Sequence, residues 1–280
     1  MQRTGQIAEV RQIIQQARSL GQKIALVPTM GYLHEGHLAL VAAAQRAEAF
    51  IVMSIFVNPL QFGPNEDFER YPRDLERDAH LAAGAGVDLL FHPDVKEMYP
   101  EVVEATVRVE TMENLLCGAS RPGHFRGVAT VVSKLLHIVQ PDQAFFGLKD
   151  YQQYLIIKKM ARDLNFPVEI IGVPIVRESD GLAKSSRNVY LSPQERAEAV
   201  VLYQSLSLAA AAIREGERDP RKIEALIRQK ISETSGRIDY VEVRNAADLA
   251  AVERIEQTVV IAVAVYFKTT RLIDNLVVQA

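Results

Sequence analysis

The chain is nearly free of cysteine. Cys117 stands alone among the 280 residues, which excludes an intrachain disulfide and points to a reducing compartment. It also lacks a long apolar run. The longest, Val259–Phe267, is nine residues, about half of what a bilayer span requires. The first residues hold no continuous apolar segment either: Ile7, Val10, Ile13, Ile14 and Ala17 recur at helical spacing with polar residues between them. There is no surplus of positive charge. A formal net charge of −3 removes any global electrostatic case for nucleic acid or an anionic membrane as a partner. No Gly-x-Gly-x-x-Gly occurs, and Gly181–Ser185 only superficially resembles the end of a phosphate-binding Walker loop, because Glu178 and Ala183 stand where glycines are required. No internal repeat or low-complexity tract is present. What remains is ordinary globular composition, 48% hydrophobic and 24% charged, and the expectation is a soluble cytoplasmic protein with no nucleic-acid and no membrane partner.

The pattern of what is there changes once along the chain. Strand-like apolar runs at Ile24–Val27, Ile51–Val57, Val87–Phe91, Ala144–Phe146 and Val168–Val176 alternate with helical stripes. The clearest stripe is Val128, Val131, Val132, Leu135, Leu136 and Val139. Continuous apolar strands alternating with helices predict a parallel sheet covered on both faces, with ligands at the carboxyl ends of its strands. After Arg177 the alternation stops. Ser192-Pro193-Gln194-Glu195 reads as a capping box opening a helix through about Arg214, and a second helix carries Ile223, Leu226, Ile227 and Ile231. Tyr240–Val243, Val259–Phe267 and Arg271–Ile273 finish the chain as strands. The reading is an α/β domain over residues 1–176 and a smaller α+β domain with antiparallel strands over 177–280.

Candidate functional residues lie after the predicted strands. Val27-Pro28-Thr29-Met30-Gly31-Tyr32-Leu33-His34-Glu35-Gly36-His37 runs from a strand into an apolar-periodic helix. Helix N-termini collect anions, and His34 and His37 add two imidazole donors suited to a phosphate. Zinc binding and simple turn capping are the other readings; the first lacks the zincin i, i+4 spacing and an obvious third ligand. Lys184-Ser185-Ser186-Arg187-Asn188 offers two cations, two hydroxyls and backbone N–H groups to a polyphosphate. Gly147-Leu148-Lys149-Asp150 follows a strand, Lys149 suiting a phosphate and Asp150 a ribose hydroxyl. Asn58 and Gln61, beside aromatics, suit a small polar acid, as buried amides do. Arg121-Pro122-Gly123-His124-Phe125-Arg126-Gly127 is a basic, glycine-punctuated entry to a helix; this loop and the Phe56–Gly63 stretch are each compatible with a purely structural role, and Tyr71-Pro72-Arg73 reads as a turn with a snorkelling Arg.

His-x-Gly-His together with the Ser-Ser-Arg-Asn run resembles the nucleotidyltransferase superfamily, to which the class I aminoacyl-tRNA synthetases belong. The larger set is more specific. Pro28–Gly31, His34–His37, Phe56–Gly63, Tyr71–Arg73, Arg121–Gly127, Lys149–Gln153 and Asp180–Asn188, kept in order, closely resemble the pantothenate synthetase (pantoate–β-alanine ligase) family. The resemblance implies a Rossmann-like first domain, a smaller lid-like second domain, and a homodimer. It implies ATP-dependent ligation of pantoate and β-alanine through pantoyl adenylate, with release of AMP and pyrophosphate. It implies an ATP site formed by Met30, Gly31, Tyr32, Leu33, His34, Glu35, Gly36, His37, Gly147, Leu148, Lys149, Asp150, Val176, Lys184, Ser185, Ser186 and Arg187. His37, His34, Lys149 and Arg187 would serve the chemistry, with His37 as proton donor, and Gln61 and Gln153 would hold pantoate, Gln61 also lying near β-alanine. Mg²⁺ would come with ATP on phosphate oxygens and water, with Asp78 in support. Two positions depart from the pattern: Lys184 replaces an apolar residue and Leu148 a glutamate. Three competing readings are a nucleotidyltransferase that adenylates a phosphate and stops, an RNA-facing synthetase relative, and a nucleotide sensor without turnover.

Overall fold

The computed structural model describes residues 1–64 and 66–280. A six-stranded parallel sheet is built from β1 (Gln2–Thr4), β2 (Ile24–Thr29), β3 (Phe50–Ile55), β4 (Leu89–Phe91), β5 (Gln143–Gly147) and β6 (Glu169–Val173), in the order β1-β4-β3-β2-β5-β6. The apolar strands alternate between two cores, as burial on both faces demands. Ile24 and Leu26 face one core, shared with Val10 and Ile14 of α1 (Ile7–Ser19), the stripe of α6 (His124–Val139) and Ile156 and Met160 of α7 (Tyr151–Asp163). Ala25 and Val27 face the other, against Leu40 and Val41 of α2 (Glu35–Gln45) and Ala79 and Ala82 of α3 (Leu75–Gly84). Short helices α4 (Val95–Met98) and α5 (Leu116–Ser120) fill the connection before α6.

The strand order reverses between β2 and β5: the chain builds outward from β2 on one side, then returns to add β5 and β6 on the other. The crevice beyond the carboxyl ends of these two strands is where such sheets receive ligands. Pro174, which has no N–H to give a ladder, ends β6 earlier than the apolar run predicts. β1 is not legible in its polar sequence and exists through pairing with β4, beginning with Gln2 N–H donating to the Asp88 carbonyl at 2.7 Å.

The rest of the chain forms an antiparallel sheet of β7 (Arg237–Asn245), β8 (Val259–Phe267) and β9 (Thr270–Val278). β8 has no polar face because both of its faces are covered. Val259, Ile261, Val263 and Val265 pack with α9 (Val201–Arg214) and α10 (Pro220–Ile231), while Val260 and Ala262 join the core of the large sheet. The helix expected from Ser192 to Arg214 is two helices. The capping box at Ser192 starts α8 (Pro193–Glu198), and an i→i+3 bond, Leu202 N–H to the Ala199 carbonyl at 3.2 Å, tightens the chain before α9 resumes. Asp219 caps α10, with Pro220 in its first turn. No helix among the described residues is long and apolar enough to cross a membrane.

Candidate active site

The turn after β2 is held from behind by one carboxylate. Gly31 and Tyr32 adopt φ of 84° and 51°, reversing the chain into α2. The buried Asp78 of α3 accepts the Tyr32 and Leu33 N–H groups at 2.6 and 2.7 Å, with Arg77 beside it at 3.3 Å. A Cβ at Gly31 would lie 2.9 Å from Ile55 Cγ2 and 3.0 Å from Asp78 Oδ2, so glycine is required for space as well as for conformation. Both Asp78 oxygens accept N–H groups of this turn, so the carboxylate braces the loop from behind.

His34 is the N-cap of α2 and His37 its third residue. His34 Nδ1 accepts the Gly36 N–H at 3.1 Å, and His37 Nδ1 accepts the His34 N–H at 3.2 Å. The rings lie 4.0 Å apart. A backbone N–H can only donate, so each Nδ1 holds a lone pair and each neutral ring carries its proton on Nε2. Burial, followed by the charge of Lys149, pulls His34 down to about 4. Burial, His34 and Lys149 hold His37 well below the usual histidine range. At neutral pH the pair is therefore uncharged and presents two N–H donors. Gly36 makes the arrangement possible, because a Cβ there would meet His34 Cε1 at 2.8 Å. With both Nδ1 atoms engaged and no third His, Cys, Asp or Glu clustered with them among the described residues, the site does not fit zinc.

The cations arrive from three other elements. Gly147 to Asp150, at the end of β5, bring Lys149 to the cavity, where among the described residues it forms no ion pair. Arg187 engages Asp67 through Nε and Nη2 at 2.9 and 3.1 Å. Arg121 is forked on Glu66. Lys184, expected to add charge to a phosphate or pack on a base, instead places its ammonium between Glu35 and Glu178, each at 3.0 Å. Three of the four basic side chains at this cavity are thus balanced by carboxylates. Ser185 Oγ accepts the Arg187 N–H at 3.3 Å, and Ser186 Oγ donates to the Tyr32 carbonyl at 3.3 Å, tying this loop to the β2 turn.

The amides form a second cluster. Gln61 is buried in a short 3₁₀ turn (Pro59–Gln61). Its side chain accepts from Asn58 Nδ2 at 3.2 Å and donates toward Met30 Sδ at 3.1 Å. Asn58 is held in turn by the Tyr99 hydroxyl at 2.8 Å and donates to the Gly127 carbonyl at 3.1 Å. His124 Nδ1–H donates to the Gln61 carbonyl at 2.8 Å and its Nε2 accepts from Arg121 Nη1 at 3.1 Å; a carbonyl and a guanidinium fix that tautomer between them. Burial and the Arg121 charge draw His124 down to about 4. Gln152 and Gln153 diverge: Gln152 is buried and bonds the Met112 and Leu115 carbonyls, while Gln153 lines the cavity.

Part of this set lines a cavity of about 220 Å³, while Asn58, Tyr99, Gln152 and Asp78 stand behind its wall. Met30, His34, Gly36, His37, Gln61, Gly147, Lys149, Asp150, Gln153, Val176 and Lys184 to Arg187 are all on its wall. Gly31, Tyr32, Leu33, Glu35 and Leu148 are not: Leu33 is fully buried behind the turn, Glu35 turns to Lys184, and Leu148 covers Gly172 of β6. The polar wall faces an apolar one made by Val128, Val131, Val132 and Leu135 of α6. Motif reading missed that wall, because the same stripe satisfies a core helix. It also missed Tyr71, a buried lining residue whose sequence reads as a turn. A second chamber of about 400 Å³ adjoins the first, sharing Lys149, Gln153 and Arg187 and reaching the antiparallel sheet.

A site with neutral donors at a strand–helix turn, a lysine opposite them and an apolar pocket edged with amides agrees with what the chain is similar to. The family model for pantoate-beta-alanine ligase matches residues 2–277. The pantothenate synthetase of Desulfitobacterium hafniense (strain DSM 10664 / DCB-2) is 65% identical over 98% of this chain and 97% of its own length. Among solved structures, pantothenate synthetase from Thermus thermophilus superposes with a TM-score of 0.94 at 48% identity, covering 99% of each chain. Pantoate-beta-alanine ligase from Francisella tularensis, in complex with beta-gamma ATP and beta-alanine, superposes with a TM-score of 0.80 at 34% identity, over 99% of this chain and 97% of its own. By sequence along nearly its whole length, and by fold, the chain belongs to the pantoate–β-alanine ligase family.

Proposed function

We propose that this enzyme joins pantoate to β-alanine in two steps at the cavity beyond β2 and β5, with ATP as the activating substrate. In the first step a pantoate carboxylate oxygen attacks the α-phosphorus of ATP. The bond to the bridging oxygen breaks, and pyrophosphate leaves. In the second, the unprotonated amine of β-alanine attacks the acyl carbon, the carbon–oxygen bond to AMP breaks, and the nitrogen loses a proton. The observation that carries this reading is the juxtaposition of phosphate-type donors (the Nε2–H groups of His34 and His37, and Lys149) with the amides of Gln61 and Gln153 against the apolar face of α6. An in-line displacement asks for positioning and charge neutralisation, not a nucleophilic side chain. Neutral imidazoles donate hydrogen bonds to oxygen charge as it develops, and His37, the proton donor that the resemblance implies, acts here as such a hydrogen-bond donor. The Francisella relative's complex with beta-gamma ATP and beta-alanine supports these ligands. Mg²⁺ would enter with the nucleotide, with phosphate oxygens and water as its ligands, and would supply charge neutralisation there.

The same reading takes residues 1–176 as the nucleotide- and pantoate-binding domain, 177–280 as a smaller lid domain, and the working form as a cytoplasmic homodimer. The test is pyrophosphate release from Mg-ATP and pantoate, with and without β-alanine, and mass spectrometry for pantothenate. Pantoate-dependent release that becomes multiple-turnover only with β-alanine is expected. Folded protein that releases no pyrophosphate, or that releases it without forming an amide, refutes the mechanism.

A further inference from the structure

Asn275 of β9 lies far from every recognisable motif, yet it is buried against the turn that carries Lys149. Its Nδ2 donates to the Leu148 carbonyl at 3.0 Å and to the Lys149 carbonyl at 2.9 Å. Two carbonyls can only accept, so the amide orientation is fixed by its partners. Its own N–H donates to Asp274 Oδ1 at 2.8 Å. Asp274 is 3% exposed and is paired with Arg177 at 2.6 and 3.0 Å. Arg177 stacks over the Tyr203 ring of α9 at 3.9 Å, and its Nη1 also donates to the Gly181 carbonyl at 3.0 Å. Gly181 is the tip of a hairpin closed by Lys184 N–H on the Val176 carbonyl at 2.9 Å, from which Ser185 to Arg187 continue into the cavity. Tyr203 leaves no room for a side chain at Gly181, where a Cβ would lie 2.3 Å from Cδ1.

One polar chain therefore runs from α9 through Arg177 and Asp274 to Asn275, and grips two of the three elements that supply cations to the cavity, the Lys149 turn and the hairpin leading to Lys184–Arg187. We infer that Asn275 is a positioning residue for nucleotide binding: from the antiparallel sheet it sets the height of the Lys149 turn against the Ser185–Arg187 loop. This rests on the proposed ATP-dependent reaction. Gln61 and the α6 wall have no part in this chain of contacts, so the Gln61 side of the acid subsite is predicted to be independent of it.

Asn275→Asp is the decisive variant, since it keeps the side chain's shape and replaces the donor with an acceptor facing two carbonyls. Asn275→Ala removes the donor alone. Titration calorimetry with a non-hydrolysable ATP analogue, steady-state constants for ATP and pantoate, and thermal melting are measured for each variant and for wild type. Losing two buried hydrogen bonds is expected to weaken analogue binding by roughly tenfold or more, and to raise the KM for ATP in parallel, while the KM for pantoate stays within about twofold. Unchanged analogue binding in Asn275→Asp overturns the inference. So does a loss in which ATP and pantoate constants worsen together as the melting temperature falls, which marks a purely structural residue. Wild-type protein that binds the analogue but makes no pantothenate defeats the ligase mechanism, and the titration still decides Asn275; wild-type protein that does not bind the analogue defeats both.

Discussion

Gly127 offers a sharp test of how the proposed acid subsite is assembled. It lies in the first turn of α6, where the helix meets the turn that carries Gln61. An added Cβ would sit 2.2 Å from the Leu60 carbonyl oxygen, 2.4 Å from its carbon and 2.7 Å from the Gln61 nitrogen. All three are backbone atoms, so no rotamer change relieves the clash. Restoring ordinary contact means moving the Pro59–Gln61 turn away from α6 by about 1 Å. Two opposing terms act on Gly127→Ala. Alanine improves helix propensity by about 1 kcal/mol, and overpacking against rigid backbone costs about 1–3 kcal/mol. The clash wins, for a net loss of up to about 2 kcal/mol. The functional effect is larger, because a shift of about 1 Å in a substrate-positioning group can cost on the order of 100-fold. The Asn58 bond to the Gly127 carbonyl is displaced together with Gln61. Denaturant unfolding and kinetics with each substrate varied separately provide the assay. The expected outcome is a variant that folds, with kcat/KM for pantoate reduced by one to two orders of magnitude, as that displacement implies, and KM for ATP little changed. A Gly127→Ala protein as stable as wild type with normal pantoate kinetics would refute the reasoning.

Further outcomes follow from the same geometry. His37→Ala removes an Nε2–H donor and the acceptor for the His34 N–H; adenylation should fall by roughly 100-fold or more for a stability loss of only about 1 kcal/mol, and near-normal pyrophosphate release would end its assignment. Lys184→Met removes an ammonium already held by Glu35 and Glu178; KM for ATP should change by less than about threefold and stability by at most about 1 kcal/mol, whereas a large KM increase would mean that the ammonium turns to the nucleotide. His34 and His124, both drawn down to about 4 by burial, make the unfolded chain bind more protons than the folded one between about pH 6.5 and 4. Stability should be flat above that window and decline as the pH falls through it, by at most about 1.4 kcal/mol per pH unit for each histidine; urea midpoints identical at pH 7 and pH 5 would contradict the neutral, buried assignment.

The elements that could be read from sequence were those whose residues answer to one physical demand. Leu26 and Val27, or the β8 run, are apolar because both faces of their strands are covered, and that pattern survives without knowledge of the partners. The His-x-Gly-His turn was legible for a similar reason: Gly36 is small because His34 folds over it, and all three residues are neighbours in the chain. β1 was not legible, since three partly polar residues become a strand only by pairing with β4. The α8–α9 break was hidden because a capping box and an apolar stripe follow one another with no glycine or proline between them. The apolar wall of α6 shows the deeper limit. Val131 and Leu135 obey the periodicity of a core helix whether they meet a side chain or a substrate, so spacing alone cannot separate the two. Asn275 is harder still, as its meaning depends on carbonyls more than a hundred residues away, at Leu148 and Lys149.

The balance of charge around the cavity has a consequence for the conditions under which the enzyme works. Arg121, Arg187 and Lys184 already have carboxylate partners, and the two histidines donate without carrying charge. Among the described residues, a polyanion entering this site meets one unbalanced cation, Lys149, and a set of oriented dipoles. Direct hydrogen bonds of this kind are far less sensitive to ionic strength than attraction between separated charges. Nucleotide affinity should therefore vary only shallowly with added salt, and on the proposed mechanism pyrophosphate would depart without having to escape a strongly positive pocket.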